Sequence, residues 1–443
     1  MFVKRFLFVI ITVFFIFPIN AISQDIDELL NEAYRYANEE SINDVYDLAI
    51  GFFLDDLYFD AIEKGNKFLK QYYRHDIKRD TIVEMLAYAY YKQEDYKNLK
   101  KLWDRYNKTL GWDARIRVFQ LLNNYLIEKL RYKEARNLRK KYKYLFKQPP
   151  SFEILNPKLQ MFKPNINIFQ LKEEIYIGEN VLYVAKRKTN LYQIAKDLDM
   201  GFDEMKLANP TVNPLIILKG MIIFVPRRRL LPKVDFEVGT IYLNLGEKRL
   251  YYPVKDNNDN ILVISIPIGI GTDENQSPIG EFRISEKRKN PSWYVPESIR
   301  KENPDLPKVF PPGPDNPLGT RAMRLGRTSF LMHGTSKRFG IGMRVSHGCI
   351  RMYNKDVEKL FEIVKIGTKV VSVENNYKNF IRGNIGLLEV HGERKHENGL
   401  SNEDIRFLKV YFNSGGIDVS DKLLEYIGSY RRAFLNMIDL PKN

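Results

Sequence analysis

A chain of 443 residues with a single cysteine cannot close an internal disulfide. Long hydrophobic runs are missing as well. The longest, Phe6 to Phe17, is apolar apart from Thr12 and falls short of the ~20 residues that span a bilayer as a helix. Lys4 and Arg5 precede that run, and Ala21-Ile22-Ser23 follows with small residues at the positions a signal peptidase reads. The pattern predicts a cleaved leader over residues 1–23 and no transmembrane span thereafter; an uncleaved anchor is the other reading. Either places the rest of the chain outside the cytoplasm, in the periplasm or at the cell wall. Acidic residues are outnumbered 55 to 70 by Lys and Arg, and loss of Lys4 and Arg5 lowers the formal charge from +15 to +13. Outside the cytoplasm that balance argues for anionic wall polymers or lipid headgroups and against nucleic acid. A solvated lysine-rich surface gives the same composition. An unpaired cysteine in an exported chain is either buried and inert or kept for its reactivity.

Proline is absent, and glycine scarce, across residues 25–147, where the pattern is helical. Tyr58-Phe59-Asp60-Ala61, Tyr96-Lys97-Asn98-Leu99 and Tyr132-Lys133-Glu134-Ala135 recur at steps of 38 and 36 residues. A period in the mid-thirties, with an aromatic opening the second helix of each pair, marks helical-hairpin repeats. The region resembles degenerate tetratricopeptide (TPR-like) repeats, which offer a surface for a protein partner; a plain helical spacer fits too. Gln148-Pro149-Pro150-Ser151 ends the helices, and residues 148–180 read as a linker or irregular docking strip. Residues 181–227 then follow a strand–helix–helix–strand order. Leu191-Tyr192-Gln193-Ile194-Ala195, Leu207-Ala208-Asn209-Pro210 and the ending Gly220 to Pro226 resemble a LysM module, which implies binding of N-acetylglucosamine-containing glycan. Lys188-Thr189-Asn190 stands where that family usually has Gly-Asp. From residue 234 to 374 the period becomes two, with glycine and proline turns, which predicts a mostly-β domain. Residues 375–443 read as a polar linker and a short helical C-terminal tail, with helices over Ile405 to Phe412 and Leu423 to Met437.

Two of the five histidines lie within 16 residues of the cysteine, in His333-Gly334-Thr335 and Ser346-His347-Gly348-Cys349-Ile350-Arg351. A thiol becomes a nucleophile when a nearby imidazole or cation favours the thiolate. His347 is two residues before Cys349, so an extended strand points both to one face. His333 can reach the sulfur from a neighbouring strand, and Gly348 and Gly334 leave room for a substrate backbone. A Cys–His pair with a third group orienting the ring is the layout of thiol acyl transfer. The same three side chains are also a partial zinc set, although a structural site needs a fourth ligand and no second cysteine supplies it. His391 and His396 are available, but they lie in the polar stretch beyond the β domain. A buried cysteine beside core histidines is the remaining alternative.

The His-Gly pair, the 14-residue step to the second histidine and Ser-His-Gly-Cys-Ile-Arg together resemble the L,D-transpeptidase catalytic (YkuD) domain family. Gln276 to Phe282, Asn290 to Pro296 and Pro311 to Gly319 add words similar to its ErfK/YbiS/YcfS/YnhG branch. The resemblance implies Cys349 as nucleophile, His333 as base, and Gly334 completing the triad through its carbonyl. It further implies His347 lining the site and supporting the thiolate, Ser346 in the usual Ser/Thr position, a substrate contact at Trp293, and Arg351 either binding a substrate carboxylate or holding the loop. The backbone N–H groups of Gly348 and Cys349 are the candidate oxyanion hole. The implied substrate is a peptidoglycan tetrapeptide stem, with no cofactor or metal. The acyl group passes to a second stem or a lipoprotein, or to water in a carboxypeptidase. A wall-binding adaptor without catalysis is the rival from another class.

Overall fold

The computed structural model describes residues 41–171, 175–234, 236–337, 339–383, 385–391, 399–433 and 435–439; the leader expected over 1–23 and His396 lie outside them. Among the described residues, no helix is long and apolar enough to cross a membrane. The described residues open with three antiparallel helical hairpins. They pair α1 (Ile42–Leu54) with α2 (Tyr58–Gln71), α3 (Ile77–Lys92) with α4 (Tyr96–Tyr106), and α5 (Trp112–Glu128) with α6 (Tyr132–Lys141). Ser41, Asp76 and Asp95 cap helices by accepting backbone N–H bonds. Each hairpin turns the same way. Asp56, Glu94 and Leu130 take left-handed φ near +57°, and the next residue donates to a carbonyl five residues back, as in a Schellman turn. The repeating tyrosines at 58, 96 and 132 therefore mark where each second helix begins.

Helices α3 and α5 are buried on almost every side. What covers them is the rest of the chain. In the strand–helix–helix–strand unit, Val181–Val184 pairs antiparallel with Ile222–Val225 around α7 (Leu191–Asp197) and α8 (Phe202–Leu207). The buried amide Asn124 of α5 binds both backbone groups of Ile222, accepting from its N–H at 2.7 Å and donating to its C=O at 2.8 Å. Gln120 and Asn123 add bonds to Asn209 and to the Gly220 carbonyl. A helix face with three buried amides thus does the work of a neighbouring strand and closes a sheet edge.

The β domain is a nine-stranded sheet. In spatial order it comprises Ile168–Gln170, Ile261–Pro267, Arg249–Lys255, Ile241–Asn244, Lys369–Val373, Gly280–Lys289, Arg321–Leu325, Leu331–His333 and Ile350–Arg351. Neighbours run antiparallel except Ile241–Asn244 beside Lys369–Val373 and the final pair, which are parallel. Helix α9 (Glu297–Glu302) lies in the loop between its sixth and seventh members, and α10 (Asn354–Ile363) packs Val357, Leu360 and Phe361 into the sheet core. The segment 148–180 is not a free linker. Ile154, Leu159 and Phe162 are buried in that same core, and Ile168–Gln170 is its edge strand, because apolar side chains anchor the stretch despite its prolines.

The reading of residues 375–443 also needs correction. Tyr377–Arg382 and Ile385–Val390 form a hairpin that Asn436–Asp439 extends to three strands. Gly386 weakens the apolar alternation in sequence, yet its bareness is used, since a Cβ there would press on Phe412. Helix α11 (Asn402–Ser414) covers the hairpin, and α12 (Asp421–Tyr430) stops seven residues before Met437. It stops because Ala433 takes a left-handed φ and the chain returns to the sheet. The rings of Tyr426 and Tyr430 close over Phe53 and Tyr88 of the hairpins, and Arg117 of α5 donates to the Tyr430 carbonyl at 2.9 Å. One face of the hairpins is thus taken up by the chain's own C-terminal region.

Candidate active site

The parallel register Met332↔Ile350 and His333↔Arg351 puts the two halves of the sequence motif side by side. Met332 and Ile350 enter the core, so His333 and Arg351 share the opposite face, and Cys349 immediately precedes the Ile350–Arg351 strand. His333 is buried, and its Nδ1 lies 2.5 Å from the Gly334 carbonyl oxygen. A carbonyl only accepts, so Nδ1 carries the proton and Nε2 keeps its lone pair. Burial, helped by the Arg351 cation, holds the ring's pKa down to about 4 against the pull of the Gly334 and Leu318 carbonyls. His333 is therefore neutral at neutral pH, as a base must be before it takes a proton.

The Cys349 thiol is half-buried. Burial pushes its pKa up, while a bond from the Leu331 backbone and the charges of Arg351 and Arg324 work in the opposite direction. Arg351 is itself desolvated, which lowers its pKa, and the thiolate is what favours its charge. Among the described residues no carboxylate pairs with it. One cation thus favours thiolate over thiol and neutral imidazole over imidazolium.

Two residues of the motif do not sit as expected. Gly348 has φ +93°, so the segment from Ser346 to Ile350 is a turn and the same-face rule fails there. His347 is exposed and faces Glu302 of α9, Nε2 to Oε2 3.2 Å. The space at Gly348 is not left for substrate either. A Cβ there would meet the Phe330 ring at 2.5 Å and the Gln276 carbonyl at 3.0 Å. Its N–H, expected in the oxyanion hole, donates to Ser346 Oγ at 3.2 Å, and Ser346 in turn donates to the Cys349 carbonyl at 2.6 Å. Ser346 is thus the brace of the turn. At Gly334 the space is used by Asn354, whose Oδ1 accepts from Thr335 N–H at 3.1 Å and Thr320 N–H at 3.3 Å. Trp293 stands on a separate two-stranded flap, with its ring 5.5 Å from that of Phe310.

Sequence reasoning did not single out Asn354, Ser277 or Asn316. Ser277 Oγ donates to the Gly348 carbonyl and accepts from Gly271 N–H, both at 2.9 Å. The Asn316 amide donates to the carbonyls of Pro291, Phe310 and Pro311, which closes the flap on itself. Ser277 and Asn316 do lie inside the two proline-bearing words noted in the sequence; Asn354 carries no such signal. As for a metal, His333, His347 and Cys349 do not converge. Among the described residues the one group able to share an ion is Glu247, Glu389 and His391. His391, expected in a polar stretch, is buried there, and the Lys378 ammonium lies 2.9 Å from Glu247 and 3.2 Å from Glu389. That cation already holds the place an ion would take.

Residues 239–371 match the family model of the L,D-transpeptidase catalytic domain (YkuD), a span that includes His333 and Cys349. The chain is 37% identical over 209 residues to the probable L,D-transpeptidase YbiS of Escherichia coli K12, covering 46% of this chain and 66% of that protein. It is 36% identical over 248 residues to the probable L,D-transpeptidase YcfS of the same strain, covering 54% of this chain and 75% of that protein. The catalytic domain of an L,D-transpeptidase from E. faecium, solved by NMR, aligns with 32% of this chain at 19% identity and a TM-score of 0.24, all of that domain being covered.

Proposed function

The chain belongs to the L,D-transpeptidase family, and from that premise we propose that it is an exported enzyme acting on peptidoglycan tetrapeptide stems through Cys349. The thiol gives its proton to Nε2 of His333, and the sulfur attacks the carbonyl of the third, diamino-acid residue. The S–C bond forms as the C–N bond to the terminal D-alanine breaks, and the proton leaves with that amine. An amine of a second stem or of a lipoprotein then attacks the thioester and frees the thiol. The observation that carries this reading is the bond from His333 Nδ1 to the Gly334 carbonyl, which leaves the lone pair on Nε2, in a strand paired with the one that Cys349 leads into. With the Gly348 N–H engaged by Ser346, the Cys349 N–H is the donor assigned to the developing oxyanion. Arg351 serves the thiolate and the substrate carboxylate, and Trp293 offers an aromatic surface on the flap.

The strand–helix–helix–strand unit is assigned to glycan binding as a LysM-like module. A weak glycan site joined to the catalytic domain raises the local concentration of stems. The helical hairpins are assigned a TPR-like role toward a protein partner, on the faces that α12 leaves open. The decisive experiment is acylation by a carbapenem read by intact mass. The folded chain gains one adduct and Cys349→Ala gains none, with release of D-alanine from tetrapeptide stems lost in the same variant. An adduct on Cys349→Ala, or undiminished D-alanine release, refutes the assignment. Muropeptide masses then separate the acceptors: stem-to-stem crosslinks for transpeptidation, tripeptides for hydrolysis, and adducts ending in lysine or arginine for protein attachment.

A further inference from the structure

The strand–helix–helix–strand unit touches the catalytic domain beside both reacting groups, at the loop that precedes the Cys349 turn and at the start of α10. On the cysteine side, the first two N–H groups of α8 donate to the loop that leads into the motif, Phe202 to the Ile341 carbonyl and Asp203 to the Gly342 carbonyl, both at 3.2 Å. The backbones of Gly201 and Gly342 meet there; a Cβ on Gly342, which has φ +76°, would collide with Gly201 and Phe202. Beside this contact the Tyr192 ring lies 4.5 Å from that of Phe339. From Gly342 onward the loop is stitched to the segment Ile268 to Thr272 through bonds at Gly342, Met343 and Ser346, and three residues later comes Cys349.

On the histidine side, the buried Asp199 pairs with Lys355 of α10 and accepts from Asn167 at 3.1 Å. The neighbour of Lys355 is Asn354, which holds the N–H groups of Thr320 and Thr335 around the His333–Gly334 pair. A tether that only delivers substrate needs neither contact.

We infer that this unit is a positioning element of the active site. Gly201, Phe202 and Asp203 set the loop before Cys349, and Asp199 sets, through α10, the loops around His333. The inference rests on the transpeptidase reading above and adds that reaction at Cys349 depends on residues of the accessory unit. Misplacing reacting groups by about 1 Å can lower a rate ~100-fold, so loss of one of these bonds is expected to register in catalysis.

Phe202 is the first residue of its helix, where proline is tolerated because that N–H has no partner within the helix. Gly201 already has the extended backbone, ψ 150°, that a following proline requires. Phe202→Pro therefore deletes the bond to Ile341 and spares the helix. Phe202→Ala loses the same ring and keeps the N–H. The full chain is treated with a carbapenem, and the limiting first-order acylation rate is separated from apparent affinity. In parallel, alkylation by iodoacetamide is followed against pH, and melting is followed by circular dichroism.

Expected is a limiting rate about tenfold lower in F202P than in F202A, part of the loss attached to a 1 Å displacement, with affinity for the carbapenem unchanged. A merely structural contact would lower only the melting temperature. Equal limiting rates in the two variants, with the wild-type chain acylated, overturn the inference and leave the transpeptidase reading standing. A folded wild-type chain that is not acylated overturns both. Should F202P fail to fold, Asp199→Asn decides, since Asp199 sits at φ +56°, a conformation asparagine also adopts. A wild-type limiting rate in D199N overturns the inference, and a severalfold lower one upholds it.

Discussion

Two of the buried polar clusters among the described residues treat charge in opposite ways. In the first, Glu204, Glu247 and Glu389 face Arg229, Arg249 and Lys378. Lys378 bridges Glu247 and Glu389 at 2.9 and 3.2 Å, Arg229 reaches Glu204 at 3.2 Å and Glu247 at 3.6 Å, and Arg249 pairs with Glu204. Burial alone would raise the pKa of Glu204 and Glu247. The cations outweigh it and hold both carboxyls below the usual range. In the second cluster Arg351 has no carboxylate partner among the described residues, His333 is kept neutral and Cys349 is raised by burial. The first cluster fastens four parts of the chain together: α8, the short strand Arg229–Leu230, the hairpin of Ile241–Asn244 and Arg249–Lys255, and the C-terminal hairpin. The second keeps its groups short of partners, and that deficit is available to a substrate whose transition state carries charge.

The sharpest way to break this comparison is to unbalance the first cluster. Lys378→Met leaves Glu247 and Glu389 facing each other without their shared cation. Removing one member of a buried ion pair costs about 3–5 kcal/mol, and denaturant unfolding at pH 7 is expected to show a loss of that size. Restoring balance with E247Q on the same background recovers part of the loss. A K378M variant as stable as the parent would mean that the cluster is not held by its ion pairs.

The second cluster is probed by acid. The His333 pKa is about 4 in the folded chain against 6.5 for an ordinary histidine. Between those values the unfolded chain binds a proton at this position that the folded chain does not. Stability from this residue is thus full above pH 6.5 and is lost as pH falls to 4, by ~3 kcal/mol in all. Asp356 acts in the opposite sense over much of the window, since burial and Asp199 push its carboxyl up to about 7. The measurement is therefore a difference. The stability of His333→Gln relative to wild type should rise by roughly 3 kcal/mol from pH 7 to pH 4. A difference that does not vary with pH would remove the desolvated neutral histidine from the account.

These clusters were not equally legible in the sequence. Cys349, His333 and Gly334 could be read because one short motif and one 14-residue step carry them. The hairpins could be read because a tyrosine opens each second helix. The charge network has no local signature, being assembled from residues at 204, 229, 247, 249, 378 and 389 by the packing of separate regions. The amides of α5 read as solvent-facing side chains until a strand edge is laid against them. The hairpin over 377–390 was hidden by Gly386 and by polar neighbours, and its strand character comes from α11 and α12 covering one face. His347 misled for a local reason, because the spacing rule holds only in an extended strand and Gly348 interrupts it.

His347 also gives the smallest predicted effect and the finest test of the site's boundary. If it supported the thiolate, as its place in the motif suggests, replacing it would move the pH profile of Cys349 alkylation upward. The structure instead turns the imidazole outward to Glu302, where both side chains are about half exposed. Exposed pairs contribute ~0–1 kcal/mol, since solvent screens them and two side chains must be ordered to form them. His347→Gln is then expected to change the acylation rate by less than about fivefold, the rate equivalent of ~1 kcal/mol. The alkylation profile should stay where it is, because Arg351, Arg324 and the Leu331 backbone are the groups that act on the sulfur. An upward shift of that profile in H347Q would return the residue to the site and would mean that the loop holding it swings inward during the reaction.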